Sequence, residues 1–282
     1  MTDPVREPAL VLVATPIGNI GDLAPRALLE LAEADFVACE DTRRTGMLYK
    51  HLGIPHPPFV VCNEHTEARA SEEIVERIHS GARVVLVSDA GMPGISDPGE
   101  RIVSAVVAAG LSVTAVPGAS AVLAALTMSG FSTERFAFEG FLPRKGSERS
   151  ERLSEIEIER RTTVFFESPR RLQRTLSDLL ERFGPDRRIA VARELTKRYE
   201  EIWRGRLSDA VAHFGGQEPR GEFVVVVEGA QPVPSTDSEI VDALRSELAT
   251  GASRRDAIDA VVGGFGVGKR RVYDLALTLG NE

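Results

Sequence analysis

The segment SDAGMPGISDPG (88–99), here called the Gly/Pro loop, carries three glycines, two prolines and two aspartates, but no lysine. Gly91 and Gly94 permit positive φ angles and a close approach of the backbone to a ligand, and Pro93 stiffens the loop between them. Loops that bind phosphate supply cations and unopposed N–H groups, and carboxylates work against such binding. The segment therefore predicts a loop that binds a neutral or cationic ligand.

The end of the Gly/Pro loop has a structural interpretation. Asp97 is placed to cap a helix, Pro98 suits the first helical position, and Glu100 completes a capping box three residues after the cap. We therefore expect only residues 89–96 to contribute binding surface.

The elements that must position this loop alternate between strand and helix. Short apolar runs predict strands at 9–14, 35–40, 83–89 and 111–116, and helical patterns lie at 25–34, 66–80 and 98–109. Such alternation is typical of βαβ units and of a largely parallel sheet that is covered on both faces. Ligands of open α/β sheets bind beyond the carboxyl ends of the strands. The small, uncharged segments TPIGN (15–19) and PGAS (117–120) follow strands and are further candidates for backbone contacts.

A second α/β block begins near Phe131. Its predicted strands are 136–142, 162–168, 187–194, 199–207 and 221–229, with helices near 146–159 and 169–183. A Pro- and Ser-rich linker follows, and the tail contains three short helical patterns. We predict an α/β domain over 1–125, a second α/β domain over 126–230, and a linker with a helical tail over 231–282. Two of the tail helices have the spacing of a helix-turn-helix, although a small helical cap explains the same pattern.

The composition predicts a soluble, cytoplasmic globular protein. No apolar run approaches the roughly 20 residues of a membrane span, and the N-terminus lacks a signal-peptide pattern. The two cysteines, Cys39 and Cys62, have neither the spacing of a zinc site nor the density of a disulfide framework. We therefore expect both cysteines to be buried and expect no metal site.

The formal net charge of −8 argues against a general nucleic-acid binder, but the charge is unevenly distributed. Residues 135–206 contain 18 Lys and Arg against 13 Asp and Glu, a net charge of +5. Residues 1–134 and 207–282 carry −8 and −5. The basic middle third is either a solvated face of mixed charge or a contact surface for a polyanion.

Eight motifs, in this order and spacing, resemble one known family. They are ATPIGNIGD, EDTRRT, NEHT, SDAGMPGISDPG, VPGASA, GFLPRK, FFESPRRL and ARELTKRYEE, and the match runs over roughly residues 9–229. The family is ribosomal RNA small subunit methyltransferase I, of the tetrapyrrole-methylase type (class III) of S-adenosylmethionine-dependent methyltransferases. The resemblance implies two α/β domains with the cofactor S-adenosylmethionine in the cleft between them, and a homodimer. It also implies methyl transfer to the 2′-hydroxyl of a cytidine ribose in small-subunit (16S) rRNA. The acidic net charge favours an assembled 30S subunit as the substrate.

The resemblance further implies a set of cofactor contacts, carried over motif by motif. They are Pro16, Asp89, Gly91, Pro93, Ile95, Ser96, Ser120, Ala121, Leu142, Gly221, Glu222 and Phe223. The positive sulfonium of this cofactor is compatible with the aspartates of the Gly/Pro loop. The sequence lacks the GxGxxG motif of Rossmann-like methyltransferases, as expected for this class.

A ribose hydroxyl is a poor nucleophile while protonated, so a nearby group must accept its proton. The candidates are Glu40, Asp41, Glu64 and His65, together with Lys145 and Lys197 if neighbouring cations lower the pKa of the lysine. We rank His65 first, because its pKa needs the least perturbation to act near neutral pH, followed by Glu64 and Lys197.

A group of cationic side chains suits contact with RNA phosphates, because guanidinium groups match phosphate oxygens. The group is Arg43, Arg44, Arg144, Lys145, Arg170 and Arg171. Ion pairing with neighbouring glutamates is the alternative role of these residues.

Two other functions stay open. A methyltransferase acting on a tetrapyrrole or another small molecule would share the fold and cofactor, but would need a large apolar cleft. A non-catalytic module that binds RNA or protein would have no affinity for the cofactor.

Overall fold

The computed structural model describes residues 7–63, 65–216, 219–231 and 236–279. The chain divides into two compact units, the first ending at Glu228 and the second beginning at Gly229. Within the described ranges, the first unit contains two five-stranded sheets with flanking helices, and the second contains three helices. The predicted α/β fold is therefore confirmed, whereas the predicted boundary between the two α/β parts stays a prediction.

The first sheet and its helices are formed by the N-terminal elements. They are β1 (Ala9–Val13), α1 (Pro25–Glu33), β2 (Phe36–Cys39), α2 (Thr42–Leu52), β3 (Phe59–Val61), α3 (Glu67–His79), β4 (Arg83–Val87), α4 (Glu100–Ala108) and β5 (Val113–Val116). The strand order is β3-β2-β4-β1-β5 and every pairing is parallel, as predicted. Val11 points into the core against α1 and α2, and Leu10 into the core against α3 and α4. Burial on both faces explains why these strands are continuously apolar.

Three helices were not predicted, namely α2, α5 (Ala121–Ser129) and a third over Leu207–Phe214. The N-cap of α2 is Asp41, whose carboxylate accepts a hydrogen bond from the Arg43 N–H at 2.8 Å. The N-cap of α5 is Ser120. The sequence of α5, AVLAALTMS, lacks an amphipathic pattern because the helix is short and apolar on nearly every side.

The predicted capping box at the start of α4 is wrong. The helix begins at Glu100, and its N-cap is Gly99, with φ of 142°, instead of Asp97. The N–H groups of Gly99 and Arg101 donate to Oε1 of Glu67, at 2.8 and 3.2 Å. The buried Glu67 carboxylate of α3 therefore caps α4, because it accepts hydrogen bonds from the first free N–H groups of that helix.

The second sheet is mixed. Its elements are β6 (Phe136–Phe141), α6 (Gly146–Ile158), β7 (Thr162–Glu167), α7 (Pro169–Phe183), β8 (Arg188–Arg193), β9 (Glu201–Arg206), α8 (Leu207–Phe214) and β10 (Phe223–Val227). The strand order is β6-β7-β10-β8-β9, with β6 and β7 parallel and the other pairs antiparallel. Helix α5 covers one face of this sheet, and α6, α7 and α8 pack against the other.

The second unit consists of α9 (Asp237–Ala249), α10 (Arg254–Phe265) and α11 (Lys269–Thr278), which confirms the three predicted tail helices. Their apolar faces meet in a small core around Leu244, Ile258 and Val272. Of the helices that the structure describes, none is long and apolar enough to cross a membrane.

Candidate functional site

A cleft of about 430 Å³ lies between the two sheets of the first unit. Its first wall is formed by residues that follow β1, β2, β4 and β5, which is the carboxyl edge of the parallel sheet. Its second wall comes from β6, β7, β10, the start of α5 and the segment after β8. The cleft therefore occupies the place where open α/β sheets bind their ligands.

Backbone pairing fixes the Gly/Pro loop to the end of β1. Thr15 and Gly91 exchange two hydrogen bonds, Thr15 N to Gly91 O at 2.9 Å and Gly91 N to Thr15 O at 3.0 Å. Gly91 and Gly94 have φ angles of 84° and 82°, as their predicted role requires. Ser96 has φ of 61°, a conformation that costs a residue with a side chain about 1 kcal/mol or more. The loop is thus held in one strained shape against the cleft.

The second wall of the cleft is mainly apolar. It includes Val122 at the start of α5, Phe166 on β7, Leu195 after β8, and Phe223 and Val224 on β10. Such a surface favours the flat, uncharged part of a ligand.

Three carboxyl groups, those of Glu40, Asp89 and Asp97, line the opposite, polar part of the cleft. Burial is the main cause of a raised pKa in all three. Burial and the charges of Glu40 and Asp89 raise the pKa of Asp97 to about 6. The Arg44 guanidinium, 3.3 Å from Asp89, opposes the rise in the pKa of Glu40 and Asp89. These groups therefore form a partly compensated negative site.

The carboxylate of Asp89 is incompletely paired. Its Oδ1 atom is buried and accepts no hydrogen bond within the described part of the chain. A buried acceptor without a partner is costly, by about 1–3 kcal/mol, and a cationic or hydrogen-bond-donating ligand would remove that cost. Asp89 therefore supports a ligand of the type predicted for the Gly/Pro loop.

A second depression, the α2 groove, opens beside the cleft. It is lined by Glu40, Asp41, Thr42, Arg43, Arg44, Val61, Asn63 and Asp89. Glu40, Arg44 and Asp89 border both spaces, so the groove and the cleft meet at these side chains. Hydrogen bonds from Arg43 lower the pKa of Asp41 to about 2. Asp41 is therefore a charged helix cap and a weaker base than an ordinary aspartate.

The structure brings together eight of the twelve predicted cofactor contacts. Asp89, Gly91, Ile95, Ser96, Ser120, Ala121, Glu222 and Phe223 line the cleft. Pro16 lines a neighbouring depression, and Pro93 is buried within its own loop. Leu142 points into the core beneath the second sheet, and Gly221 packs against the side chain of Glu194. The positions of these four residues do not match the predicted cleft contacts.

Of the proton acceptors ranked first, His65 and Lys197 lie outside the lining of the cleft, whereas the candidate Glu40 lines it. Burial lowers the pKa of Lys197, but hydrogen bonds to Glu222 and Glu194, at 2.8 and 2.9 Å, outweigh it and raise the pKa overall. The expectation that neighbouring cations lower this pKa is wrong, because its neighbours are carboxylates. His65 is exposed and lies outside the lining of the cleft. Glu64 lies outside the described residues.

The predicted RNA-binding cations separate into two groups. Arg43, Arg44, Arg144, Lys145 and Arg170 are exposed. Arg171 is engaged inside the protein, where its Nε lies 3.1 Å from the buried Glu167 carboxylate and its Nη2 donates to the Leu142 carbonyl at 2.5 Å. The prediction for Arg171 is therefore corrected, since its donors stabilise the second sheet.

Sequence reasoning missed several residues of the second wall. Phe141, Phe166, Glu167, Ser168 and Leu195 line the cleft but were not predicted to do so. The aromatic residues lie in apolar strands and resemble core positions. The segment FFES (165–168) could have indicated the site. Its polar residues Glu167 and Ser168 follow an apolar strand, just as Ser88 and Asp89 of the Gly/Pro loop follow one.

Comparisons with known proteins agree with this geometry. Residues 9–211 match the family model of Tetrapyrrole (Corrin/Porphyrin) Methylases. The fold is similar to the crystal structure of the methyltransferase CobJ, with a TM-score of 0.60 and 23% identity over 82% of this chain and 98% of that chain. It is also similar to uroporphyrin-III C-methyltransferase from Thermus thermophilus complexed with S-adenyl homocysteine, with a TM-score of 0.54 and 21% identity over 78% and 96% of the two chains. The fold is that of the tetrapyrrole methylases.

Closer relatives share the name ribosomal RNA small subunit methyltransferase I. The protein from a Synechocystis species is 44% identical over 96% of this chain and 98% of its own length. That from Mycobacterium tuberculosis is 47% identical over 95% and 94% of the two chains, and that from Thermotoga maritima 45% identical over 79% and 99%. The chain therefore belongs to the ribosomal RNA small subunit methyltransferase I family, which confirms the resemblance of its motifs.

Proposed function

We propose that the protein transfers a methyl group from S-adenosylmethionine to the 2′-hydroxyl of a cytidine ribose in small-subunit (16S) ribosomal RNA. The names of the relatives support an rRNA substrate. The structural observation that carries the proposal is the meeting of the cleft and the α2 groove at Glu40, Arg44 and Asp89. A cationic small molecule suits the cleft, and a polyanionic chain suits the exposed Arg43 and Arg44. The cofactor in the cleft and the RNA in the α2 groove can therefore meet at Glu40, Arg44 and Asp89.

The residues of the cleft fit the cofactor. S-adenosylmethionine, when bound, supplies a methyl group on a positively charged sulfonium. The unpaired Oδ1 of Asp89 would hold a positively charged part of the cofactor. Phe166, Leu195 and Phe223 would cover its apolar surface, and the backbone at Gly91 would approach it closely. The protein's main contribution is alignment, because displacement at an activated carbon chiefly requires that the reacting atoms meet in line.

We further propose that Glu40 accepts the proton of the ribose hydroxyl. Glu40 borders both the cleft and the α2 groove. Burial and the charge of Asp89 raise its pKa, which makes the carboxylate a stronger base, and Arg44 limits this rise. His65 and Glu64 stay the alternative acceptors, whereas Lys197 is better suited to hold Glu194 and Glu222 in place.

The exposed cations complete the proposal for RNA binding. Arg43, Arg144, Lys145 and Arg170 would contact phosphates on either side of the target nucleotide. The net charge of −8 disfavours tight binding of naked RNA, so we propose that the substrate is the assembled 30S subunit, bound by a homodimer in the cytoplasm. Sedimentation of the purified protein would test the dimer directly.

The decisive experiment measures transfer of tritiated methyl groups from S-adenosylmethionine to small subunits that lack the modification, with naked 16S rRNA in parallel. Primer extension then locates the methylated ribose. We expect saturable labelling of one cytidine in the assembled subunit. Labelling of a porphyrin instead of rRNA would support the small-molecule alternative, and failure to bind the cofactor in calorimetry would support a non-catalytic module.

The role of Glu40 is tested separately. Glu40→Gln should lower kcat by about 100-fold or more, as expected for loss of a general base. The dissociation constant of the cofactor should rise far less than kcat falls, because Asp89 keeps its negative charge in the cleft. The matched variant Glu72→Gln, at an exposed position of α3, should behave like the wild type. If Glu40→Gln keeps its kcat while His65→Ala loses it, the assignment passes to His65.

A further inference from the structure

We propose that Phe141 is the platform on which the nucleobase of the target nucleotide stacks when its ribose enters the cleft. This inference rests on the proposed function and deepens it, because it names the part of the RNA that the second wall recognises. Phe141 lines the cleft and yet leaves 56% of its surface exposed. Exposed apolar surface beside a binding cleft marks an interaction site, so this ring is placed to contact a binding partner.

An irregularity in β6 places this ring in the cleft. Phe138 lies opposite Val164 of β7, but Phe141, three positions later, lies opposite Phe166, only two positions later. Strand β6 therefore contains one extra residue, and Gly140 supplies a φ of 59° within it. Because side chains alternate along a strand, the extra residue moves Phe141 from the core face to the cleft face. Without it, the ring would point away from the cleft.

The residues around Phe141 hold its backbone in place. Gly140 packs so closely on the Gly/Pro loop that a Cβ atom there would lie 3.3 Å from Oγ of Ser96. Leu142 is buried in the core, and its carbonyl accepts a hydrogen bond from Arg171. The next carbonyl, that of Pro143, accepts one from the buried Arg149 at 3.0 Å. Because the backbone that carries the ring is already held in place, this segment needs no further ordering when a base stacks on Phe141.

The chemistry around the ring suits single-stranded RNA. The ring of Phe166 lies beside that of Phe141, with centroids 5.4 Å apart and ring planes tilted by 53°. Arg144 and Lys145 follow it directly, are exposed, and form no ion pair with any described residue. An aromatic face flanked by cations is the common arrangement for stacking a base while holding its neighbouring phosphates.

The test compares Phe141→Leu, which keeps an apolar side chain, with Phe141→Trp, which keeps an aromatic face. The control is Ile158→Ala, because Ile158 is an apolar side chain on α6 that is 75% exposed and lies outside the cleft. We expect Phe141→Leu to lower kcat/KM for the small subunit by about 10- to 100-fold, the range for loss of one stacked base. Cofactor affinity in calorimetry and the sedimentation coefficient should not change. Phe141→Trp and Ile158→Ala should stay within a few fold of the wild type.

Other outcomes would overturn the inference. An unchanged kcat/KM for Phe141→Leu would show that no base stacks on the ring, and a parallel loss of cofactor affinity would assign the ring to the cofactor. A change in sedimentation would assign it to a contact between protein copies. If Phe141→Leu does not fold, the fluorescence of Phe141→Trp at saturating cofactor decides: small subunits should quench the new tryptophan, and absence of quenching contradicts stacking. Failure of the wild type to methylate small subunits would instead reject the proposed function.

Discussion

The side chain of Lys197 crosses directly over Gly18, so that any Cβ atom at position 18 would overlap Cγ of the lysine. Its Nζ lies 2.9 Å from Glu194 and 2.8 Å from Glu222. Glu194 and Thr196, on either side of Leu195, have positive φ angles of 49° and 65°. Lys197 thus fixes a strained turn of the second wall against the segment that follows β1.

The contact predicts the effect of Gly18→Ala. The added methyl group displaces the stem of Lys197 and weakens both ion pairs, so Leu195 moves relative to the cleft. We expect the dissociation constant of S-adenosylmethionine to rise roughly tenfold, equivalent to about 1.4 kcal/mol, when measured by calorimetry. Gly46→Ala is the control, since a Cβ at Gly46 meets nothing within 4 Å. Unchanged cofactor affinity in Gly18→Ala would contradict this view of Lys197.

Arg170 and Arg171 are neighbours in α7, but Arg170 is exposed whereas Arg171 pairs with the buried Glu167 carboxylate. Arg171→Ala leaves the buried Glu167 carboxylate without its guanidinium partner, so we expect a loss of about 2–4 kcal/mol in the free energy of unfolding. Arg170→Ala should change stability by less than about 0.5 kcal/mol but raise KM for the small subunit. Urea denaturation of both variants measures the effect on stability, and steady-state kinetics measures the effect on KM for the small subunit. Equal stability of the two variants would contradict it.

The cap that Glu67 provides to α4 predicts a local stability effect. Glu67→Ala removes the acceptor for the Gly99 and Arg101 N–H groups, and loss of a helix cap costs about 1–2 kcal/mol. Denaturant unfolding should show this decrease. Glu72→Ala, on an exposed face of the same helix α3, should leave the free energy of unfolding nearly unchanged. A similar decrease in both variants would point to a general effect of charge on α3.

The buried carboxyl group of Asp97 predicts a pH dependence of stability. Its pKa is raised to about 6 in the folded protein, against about 4 in an unfolded chain. The folded state therefore holds this proton more tightly, and the resulting stabilisation is lost as the pH rises through 6. In Asp97→Asn this loss is absent, so the stability of the variant relative to the wild type should increase between pH 5 and pH 7.5. Urea denaturation at both values measures the difference, and a constant or decreasing difference would contradict the prediction.

Much of the fold could be predicted because local patterns and tertiary structure agree. The parallel sheet follows from apolar runs such as VVLV at 84–87, and α7 follows from Pro169 and a strongly amphipathic pattern. Helix α5 was missed because it is apolar on nearly every side, so periodicity gives no signal. The cap of α4 was misassigned because Glu67, its true partner, lies 32 residues earlier in the chain.

The site was predictable where backbone conformation dictates residue type. Gly91 has a positive φ angle and lies in the cleft, as the sequence suggests. The state of Lys197 was not predictable, since its pKa depends on two carboxylates, Glu194 and Glu222, that only the folded chain brings within 3 Å. Phe141 was missed for a related reason, because a single extra residue in β6 reverses the face on which its ring lies.

Cys39 and Cys62 are the two cysteines of the sequence, and both are buried, as predicted. Burial is the main cause of their raised thiol pKa values, which reach about 12 for Cys62. Thiolates are the reactive form, so neither residue should compete for a maleimide at neutral pH in the native protein. A cysteine introduced at an exposed position could therefore be labelled selectively with a spectroscopic probe. Paired probes on the two walls would report changes in the width of the cleft as its ligands bind.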